Sequence, residues 1–496
     1  MRALALLLVA VLVAGCSAGS TASTPSDPSA ITIGFTAEPA NFDFTRSDGT
    51  AIPQALLYNV YEGLVKLDEK GEVRPLLAES WTVSPDRLVY DFSLRSNAFF
   101  SNGRPFTAES VKFSVERVKS AAWSISQKSK MDVVSRVDVL SPTKARVVLS
   151  RPSNNWLFDM TTRIGAMFTP DGVADLANDP VGTGPYDVAA RNRGSSITLK
   201  ANPRYWGVKP AYETVYLRYF KDATALNNAL LSNGIDVISA VTAPDSMPQF
   251  EADTRFTVTQ GITNGEVVLS FNGRKAPLDD VRVRRALTQA IDRRALLDTA
   301  WAGRGELIGS MVPRTDPWYT DLTGVNAYHP EHARQLLADA GQRNLNLRLR
   351  IPNLPYAVSS AQVVKSELNK IGVGVTIEPL DFPAVWLKSV FTEHDFDMSI
   401  VQHVEPRDIT TFGNAEYYWG YDSPRVRQLL AEADRGSAEQ QVSAMREVAA
   451  TLANDAAACW LFLFPNMIVA KKKVGGLPLN QISESFDLTL LRRVGS

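Results

Sequence analysis

Apolar residues recur along this chain with two different periods. In 31–35, Ile31, Ile33 and Phe35 alternate with Thr32 and Gly34, the two-residue period of a half-buried strand. The stretch 88–95 alternates in the same way and runs into the turn-forming residues SNGRPF. Thr107 then precedes Val111, Val115 and Val118, spaced by four and three, which predicts a helix capped by the threonine. Short strands and Gly/Pro turns dominate 59–178, so this region reads as a β-rich subdomain.

The texture changes from about residue 269. VVLSFN predicts a strand, and Asp280 opens the helical run DVRVRRALTQAIDRRALLDTA. Val283, Leu287, Ala290 and Ile291 line one stripe of that run, with Arg282, Arg285, Arg293 and Arg294 largely on an opposite, solvated face. Pro330 opens a helix faced by Ala333, Leu336, Leu337 and Ala340, and Gly341 stops it. Leu347, Leu349 and Ile351 alternate as a strand. A helix through Val364, Leu368 and Ile371 follows, then a strand through Val373, Val375 and Ile377. A helix over 383–391 and a strand through Phe396, Met398 and Ile400 complete a β-α-β-α-β rhythm, the signature of an α/β lobe. Two more helices are predicted over 424–434 and 438–454, the second opened by a Ser437/Gln440 capping box.

Composition narrows the class. The 496 residues are enough for about three structural units, and 45% hydrophobic with 21% charged residues is an ordinary globular balance. Lys plus Arg number 52 against 53 Asp plus Glu, so no cationic excess supports nucleic acid as a partner. Two cysteines and four histidines exclude a disulfide scaffold and leave little material for a metal centre; Cys459, in ACWLFLF, reads as buried filler.

The first residues fit an export signal. Arg2 precedes an apolar stretch from Ala3 to Ala14, too short for a bilayer span of about 20 residues. Val13-Ala14-Gly15-Cys16 resembles a lipobox, which predicts a signal peptide over 1–15, lipidation at Cys16 and a Ser/Thr/Pro-rich tether over 16–30. The expected location is extracytoplasmic, anchored to the cell membrane.

Catalytic signatures are missing from the sequence. It has no G-x-S-x-G, H-E-x-x-H or Walker loop. Gly182-Thr183-Gly184 is followed at once by Pro185, which would interrupt a phosphate-cradling helix. His329-Pro-Glu-His332 reads as a helix start, and Asp279-Asp280 as helix caps. No enzyme activity, cofactor or resident metal is expected.

Several long segments instead carry a resemblance: YEGLVKLDEKGEVRPLLAESWTVSPDRLVYDFSLRSNAFFSNGRPFTAESVKFSVERV (61–118), PVGTGPY (180–186), NPRYW (202–206), LSFNGRKAPLDDVRVRRALTQAIDRRAL (269–296) and HPEHARQLLADAG (329–341). Together they resemble the extracytoplasmic solute-binding proteins of peptide, dipeptide and nickel ABC importers (bacterial solute-binding protein family 5) in lipoprotein form. The resemblance implies a two-lobed, hinged periplasmic-binding-protein-like α/β fold (class II) with an extra β-rich subdomain. Lobe I would comprise 31–58, 179–265 and 470–496, with 59–178 inserted in it, and lobe II 266–469. It implies a monomer that captures a peptide-like solute and delivers it to an ABC permease. A nickel- or haem-chelate receptor, or a regulatory lipoprotein keeping the fold, is the alternative.

The resemblance also places a site. Glu38 and Pro39 match a binding edge on one lobe and 402–410 the edge on the other, with Trp386, Tyr417, Tyr418 and Trp419 as candidate walls. In di- and oligopeptide binders an aspartate shortly before a Glu-Pro or Asp-Pro pair anchors the ligand's α-ammonium. Here the pair is Glu405-Pro406 and Gln402 stands in the aspartate's place. A neutral amide gives no charge-assisted bond, so that role would pass to Glu405 or Asp408. His403 with Glu405 is the candidate contact for a chelate.

Overall fold

The computed structural model describes residues 27–47 and 49–495. The expected signal peptide, Cys16 and most of the expected tether lie outside the described residues. No described helix is long and apolar enough to cross a membrane.

A ten-stranded mixed sheet runs through the molecule. One half is built on Ala30–Phe35, which pairs in parallel with Thr214–Tyr219 and with Val237–Ile238, and continues through Ser196–Ala201 to Tyr186–Asn192 at the edge. The other half contains Asn346–Pro352, Gly374–Leu380 and Met398–His403. Two long antiparallel strands, Phe256–Phe271 and Ala458–Lys471, join the halves. Their pairing is regular from Phe256↔Lys471 to Ile262↔Pro465, is interrupted, and resumes at Glu266↔Leu463. The segment 478–486 crosses the same junction: Gln481 donates its backbone N–H to Ile262 O at 2.9 Å, and Asn264 Nδ2 donates to Ile482 O at 2.6 Å.

Strand alternation distributes the core of the second half between the two faces of the sheet. Val267, Leu269, Phe271, Cys459 and Leu461 pack with helices Val281–Gln289, Arg293–Trp301 and Pro355–Lys370. Val268, Val401, Ala458 and Trp460 pack on the other face, with Pro424–Arg435 and Ala438–Asn454. A separate antiparallel sheet (Ala78–Val83, Val89–Leu94, Lys144–Leu149, Val134–Ser141) lies within 59–178. Helix Ala108–Lys119 packs against it, with Val111, Val115 and Val118 buried and a capping box at Thr107 and Ser110.

The helical run after Asp280 differs from its sequence reading: it is two helices, Val281–Gln289 and Arg293–Trp301. Asp292 accepts the backbone N–H groups of Arg294 and Ala295, both at 3.0 Å, and so starts a new helix inside a stretch whose apolar spacing continues unbroken. Arg293 consequently lies buried rather than solvated, donating to Ile308 O at 2.8 Å, Trp460 O at 3.1 Å and Thr323 O at 2.7 Å. The predicted 383–391 helix is a single turn, Ala384–Trp386, that widens into π-helical turns over Leu387–Thr392.

PVGTGPY serves packing. A Cβ on Gly182 would stand 1.8 Å from Val60 O and one on Gly184 2.5 Å from Asn59 O, so only glycine permits this approach of the two backbones. His329 caps its helix by accepting the His332 N–H at 3.2 Å, and Asp280 accepts the N–H of Arg282 at 2.8 Å.

Candidate ligand-binding site

The strand Met398–His403 brings 402–410 to the junction between the halves of the sheet, and strand alternation sorts its side chains. Glu266 pairs across the ladder with His403, and Val267 with Gln402. Glu266, Val268 and Ser270 therefore share a face with Val401 and His403, whereas Gln402 points to the opposite face. There the Gln402 side chain lies against Gly265, and its backbone N–H donates to the Tyr356 hydroxyl at 3.0 Å.

His403 is buried, and its Nε2 hydrogen-bonds the Tyr418 hydroxyl at 3.1 Å, which in turn meets Ser270 Oγ at 2.6 Å. Burial pushes the imidazole down to about 3, so it is neutral. Its Nδ1 stands 3.6 Å from Asp408 Oδ2, too far for a hydrogen bond. Asp408 is buried, and neither of its carboxylate oxygens has a partner; Glu266 Oε2 is likewise unmet. Burial raises both carboxyls well above the ordinary range, the nearby acids Glu405, Asp316 and Asp408 itself adding to the effect. Glu405 is exposed.

Arg407 closes one side. Its guanidinium lies 3.5 Å from the Phe158 ring centroid and 4.7 Å from that of Trp318, with Asp316 Oδ1 3.8 Å from Nε. Burial raises the Asp316 carboxyl to about 6, against the pull of Arg407. Phe158 belongs to the β-rich segment, as does the pair Lys130–Asp159, joined at 3.0 Å. Groups from the segment 59–178 and from the second half of the sheet thus meet at this place.

The candidate aromatics form one packed cluster. Trp419 is fully buried and stacks on Phe412 with centroids 4.1 Å apart, and its ring is 5.3 Å from that of His403. Trp386 is buried and donates Nε1–H to Ser399 Oγ at 3.2 Å. Tyr417 is half-buried between Phe391 and Trp419, at 5.2 and 4.5 Å. Trp386 and Trp419 therefore back the site as core, and Tyr417 is the partly accessible member.

Glu38 and Pro39 are held in the first half of the sheet. Glu38 Oε2 accepts the Gly194 N–H at 2.8 Å, and Oε1 lies 3.5 Å from Arg191; Arg191 also donates to the backbone carbonyls of Pro39 and Ala40. Sequence reasoning missed Glu266, Asp316 and the contact of Phe158 with Arg407. Glu266 carried one signal, as the lone charge entering the apolar run VVLSF. Among the described residues no three His, Cys, Asp or Glu side chains are grouped to hold a metal ion.

Comparison with known proteins extends this picture. The family described as bacterial extracellular solute-binding proteins, family 5 (middle region), matches residues 72–420. The di/tripeptide-binding protein 2 of Pseudomonas aeruginosa (strain UCBPP-PA14) is 26% identical over 408 residues, covering 76% of each chain. The dipeptide-binding protein of Escherichia coli (strain K12) is 29% identical over 340 residues, 62% of this chain and 63% of its own. In fold, the chain is similar to NikA from Brucella suis in complex with Fe(III)-EDTA, with a TM-score of 0.83 at 22% identity over 94% of this chain and all of the other. It is similar also to DppA from Helicobacter pylori in complex with the peptide STSA, with a TM-score of 0.81 at 22% identity over 94% and 98%. The two-lobed α/β architecture expected from the sequence is the fold these structures share with this chain. Such proteins are substrate-binding components of ABC transporters rather than enzymes, and this chain belongs to the bacterial extracellular solute-binding proteins of family 5.

Proposed function

We propose that this protein is the lipid-anchored receptor of an ABC importer, which captures a peptide-like solute between its lobes and hands it unchanged to the permease. Lobe I is 31–58, 179–265 and 470–496, with 59–178 inserted, and lobe II is 266–469. Cys16 carries the anchor, and the chain acts as a monomer. The observation that carries this reading is the junction: the pairing of the two joining strands lapses between Ile262 and Glu266. A few residues with broken pairing absorb backbone rotation more readily than a continuous ladder, which is what a hinge needs.

The ligand edge is 402–410, facing the β-rich segment through Phe158, with Glu38 and Pro39 on the other lobe. Relatives named for di- and tripeptide binding support peptide-like cargo. The test is calorimetry of the purified chain with di- to pentapeptides, followed by recovery of the cargo. One-to-one binding with the peptide recovered intact is expected; cleavage of the peptide, or no binding by any of them, would overturn the reading.

A further inference from the structure

The chain enters its folded body beside a patch that is both apolar and basic. Ser29 O accepts the Glu213 N–H at 2.8 Å, and Ala30 pairs with Thr214, so the point of entry lies against the loop 203–213. That loop is pinned on both sides of its tip: Trp206 donates Nε1–H to Glu62 at 2.9 Å, and Tyr212 is buried. Val208, at the tip, is 92% exposed, and exposed Lys209 follows it. The segment 492–494 closes on the same loop. Arg493 Nη2 donates to Ala211 O at 2.9 Å, with its guanidinium 5.3 Å from the Tyr212 ring centroid. Val494 is held by its N–H to Lys473 O at 2.9 Å and is 53% exposed. Val208 and Val494 are the two most exposed large hydrophobic residues among those described.

Basic groups fringe this pair. Lys200 and Arg492 are exposed like Lys209, and Lys200 Nζ stands 2.6 Å from the Thr214 hydroxyl next to the entering strand. Lys473 pairs with Asp236 at 3.2 Å. With Asp27 and Glu213 as the other acids of the patch, its cations prevail. One exposed valine is ordinary on a soluble surface. A pinned loop that projects one, beside a second and a fringe of Lys and Arg, has the makeup of a headgroup contact: apolar tips enter the interface while cations meet anionic lipid.

Where the chain enters the body decides the partner. Asp27 stands eleven positions after Cys16, and a residue spans at most about 3.6 Å, so a lipid on Cys16 holds Asp27 within about 40 Å of the bilayer. We propose that the face formed by Val208, Lys209, Arg492 and Val494 rests on the anionic surface of the bilayer to which the protein is anchored. This rests on the lipid-anchor reading above and adds the posture of the body at the membrane. The contact is weak by itself; the anchor sustains it by keeping the face at high local concentration near lipid.

The test uses the lipidated full chain on two kinds of vesicle, phosphatidylcholine alone and phosphatidylcholine with phosphatidylglycerol in equal parts. Cys459 is fully buried, so Val208→Cys accepts one polarity-sensitive fluorophore. Ser366→Cys is the control, exposed on helix Pro355–Lys370 at the far end of the ten-stranded sheet. On vesicles with phosphatidylglycerol, the label at 208 should shift to the blue and be quenched by spin-labelled lipid, and the label at 366 should do neither. Lys209→Glu combined with Arg492→Glu should cut the quenching at least about threefold, and high salt should weaken it. Equal quenching at 208 and 366, equal quenching on both vesicles, or quenching unchanged in the double variant would overturn the membrane face and leave the anchor standing. A chain that does not float with either vesicle would overturn the anchor and the face together.

Discussion

The Ser153 hydroxyl donates to Asp434 Oδ1 at 2.7 Å, joining residues 281 positions apart in the chain. The same oxygen accepts the Asn155 N–H at 3.1 Å, Arg151 pairs with the other carboxylate oxygen, and the Asn154 N–H donates to Asp434 O at 2.7 Å. Asn154 Nδ2 reaches the carbonyls of Ala433 and Gly436, both at 2.8 Å, and Arg87 also donates to the Gly436 carbonyl. The end of helix Pro424–Arg435 is thereby latched to the β-rich segment. Asp434→Ala removes the centre of the latch and leaves buried donors unmet, an effect of roughly 1–3 kcal/mol. Small-angle scattering without added peptide should show a larger radius of gyration for the variant. An unchanged radius would mean that the latch does not hold the halves together.

A second long-range pair ties the C-terminal segment down beside the junction. Glu484 accepts the Arg163 backbone N–H at 2.7 Å and its side chain at 2.8 and 2.6 Å, with both side chains almost wholly buried. Arg163 holds the carboxyl below its ordinary value of 4.5 although burial alone would raise it. With the folded value depressed, this contribution is present above about 4.5 and is lost as pH falls through the folded value. Glu484→Gln should cost roughly 1.5–3 kcal/mol at neutral pH, since it replaces the charge-assisted hydrogen bonds from Arg163 by neutral ones. Denaturant unfolding at pH 7 and at acid pH checks this: the gap between variant and wild type should shrink in acid.

Glu62 titrates with the opposite sign. It is 1% exposed and accepts hydrogen bonds from Thr183 Oγ1 at 2.8 Å, Trp206 Nε1 at 2.9 Å and the Tyr205 hydroxyl at 3.2 Å. Burial dominates these bonds and raises the carboxyl from 4.5 to about 7. Its stabilising contribution is therefore complete below about 4.5 and lost as pH rises through about 7, a change of roughly 3 kcal/mol. Glu62→Gln should flatten the pH dependence of the unfolding midpoint in that window. A variant curve parallel to the wild-type curve would contradict it.

Cys16 gives a test of location. On the proposed lipid anchor, Cys16→Ser in the producing cell should move the protein from the membrane fraction to the soluble extracytoplasmic fraction, because the variant has no thiol to carry lipid chains. Attachment undiminished by the substitution would contradict the lipid anchor.

Local pattern carried most of the elements. The alternation in 31–35, the spacing of Val111, Val115 and Val118, and the glycines after two helices, Gly341 at φ +71° and Gly372 at φ +85°, are consequences of near neighbours in sequence. Asp292 escaped because a cap interrupts a helix without disturbing the apolar spacing around it. The candidate site was legible only in part. His403 and Asp408 stood in the segment marked by the Glu-Pro pair. Glu266 is brought beside His403 by the register of two strands more than a hundred residues apart, and Phe158 reaches Arg407 from the β-rich segment. Nor does the sequence alone show that Gln402 and His403 face opposite sides until the strand is placed in its sheet.

The most direct check of noncovalent capture is native mass spectrometry of the full chain purified without denaturation. The protein is expected to carry one small solute per chain, released intact on unfolding. A chain that remains bare when offered peptides, or that yields peptide fragments in place of the cargo supplied, would contradict the account.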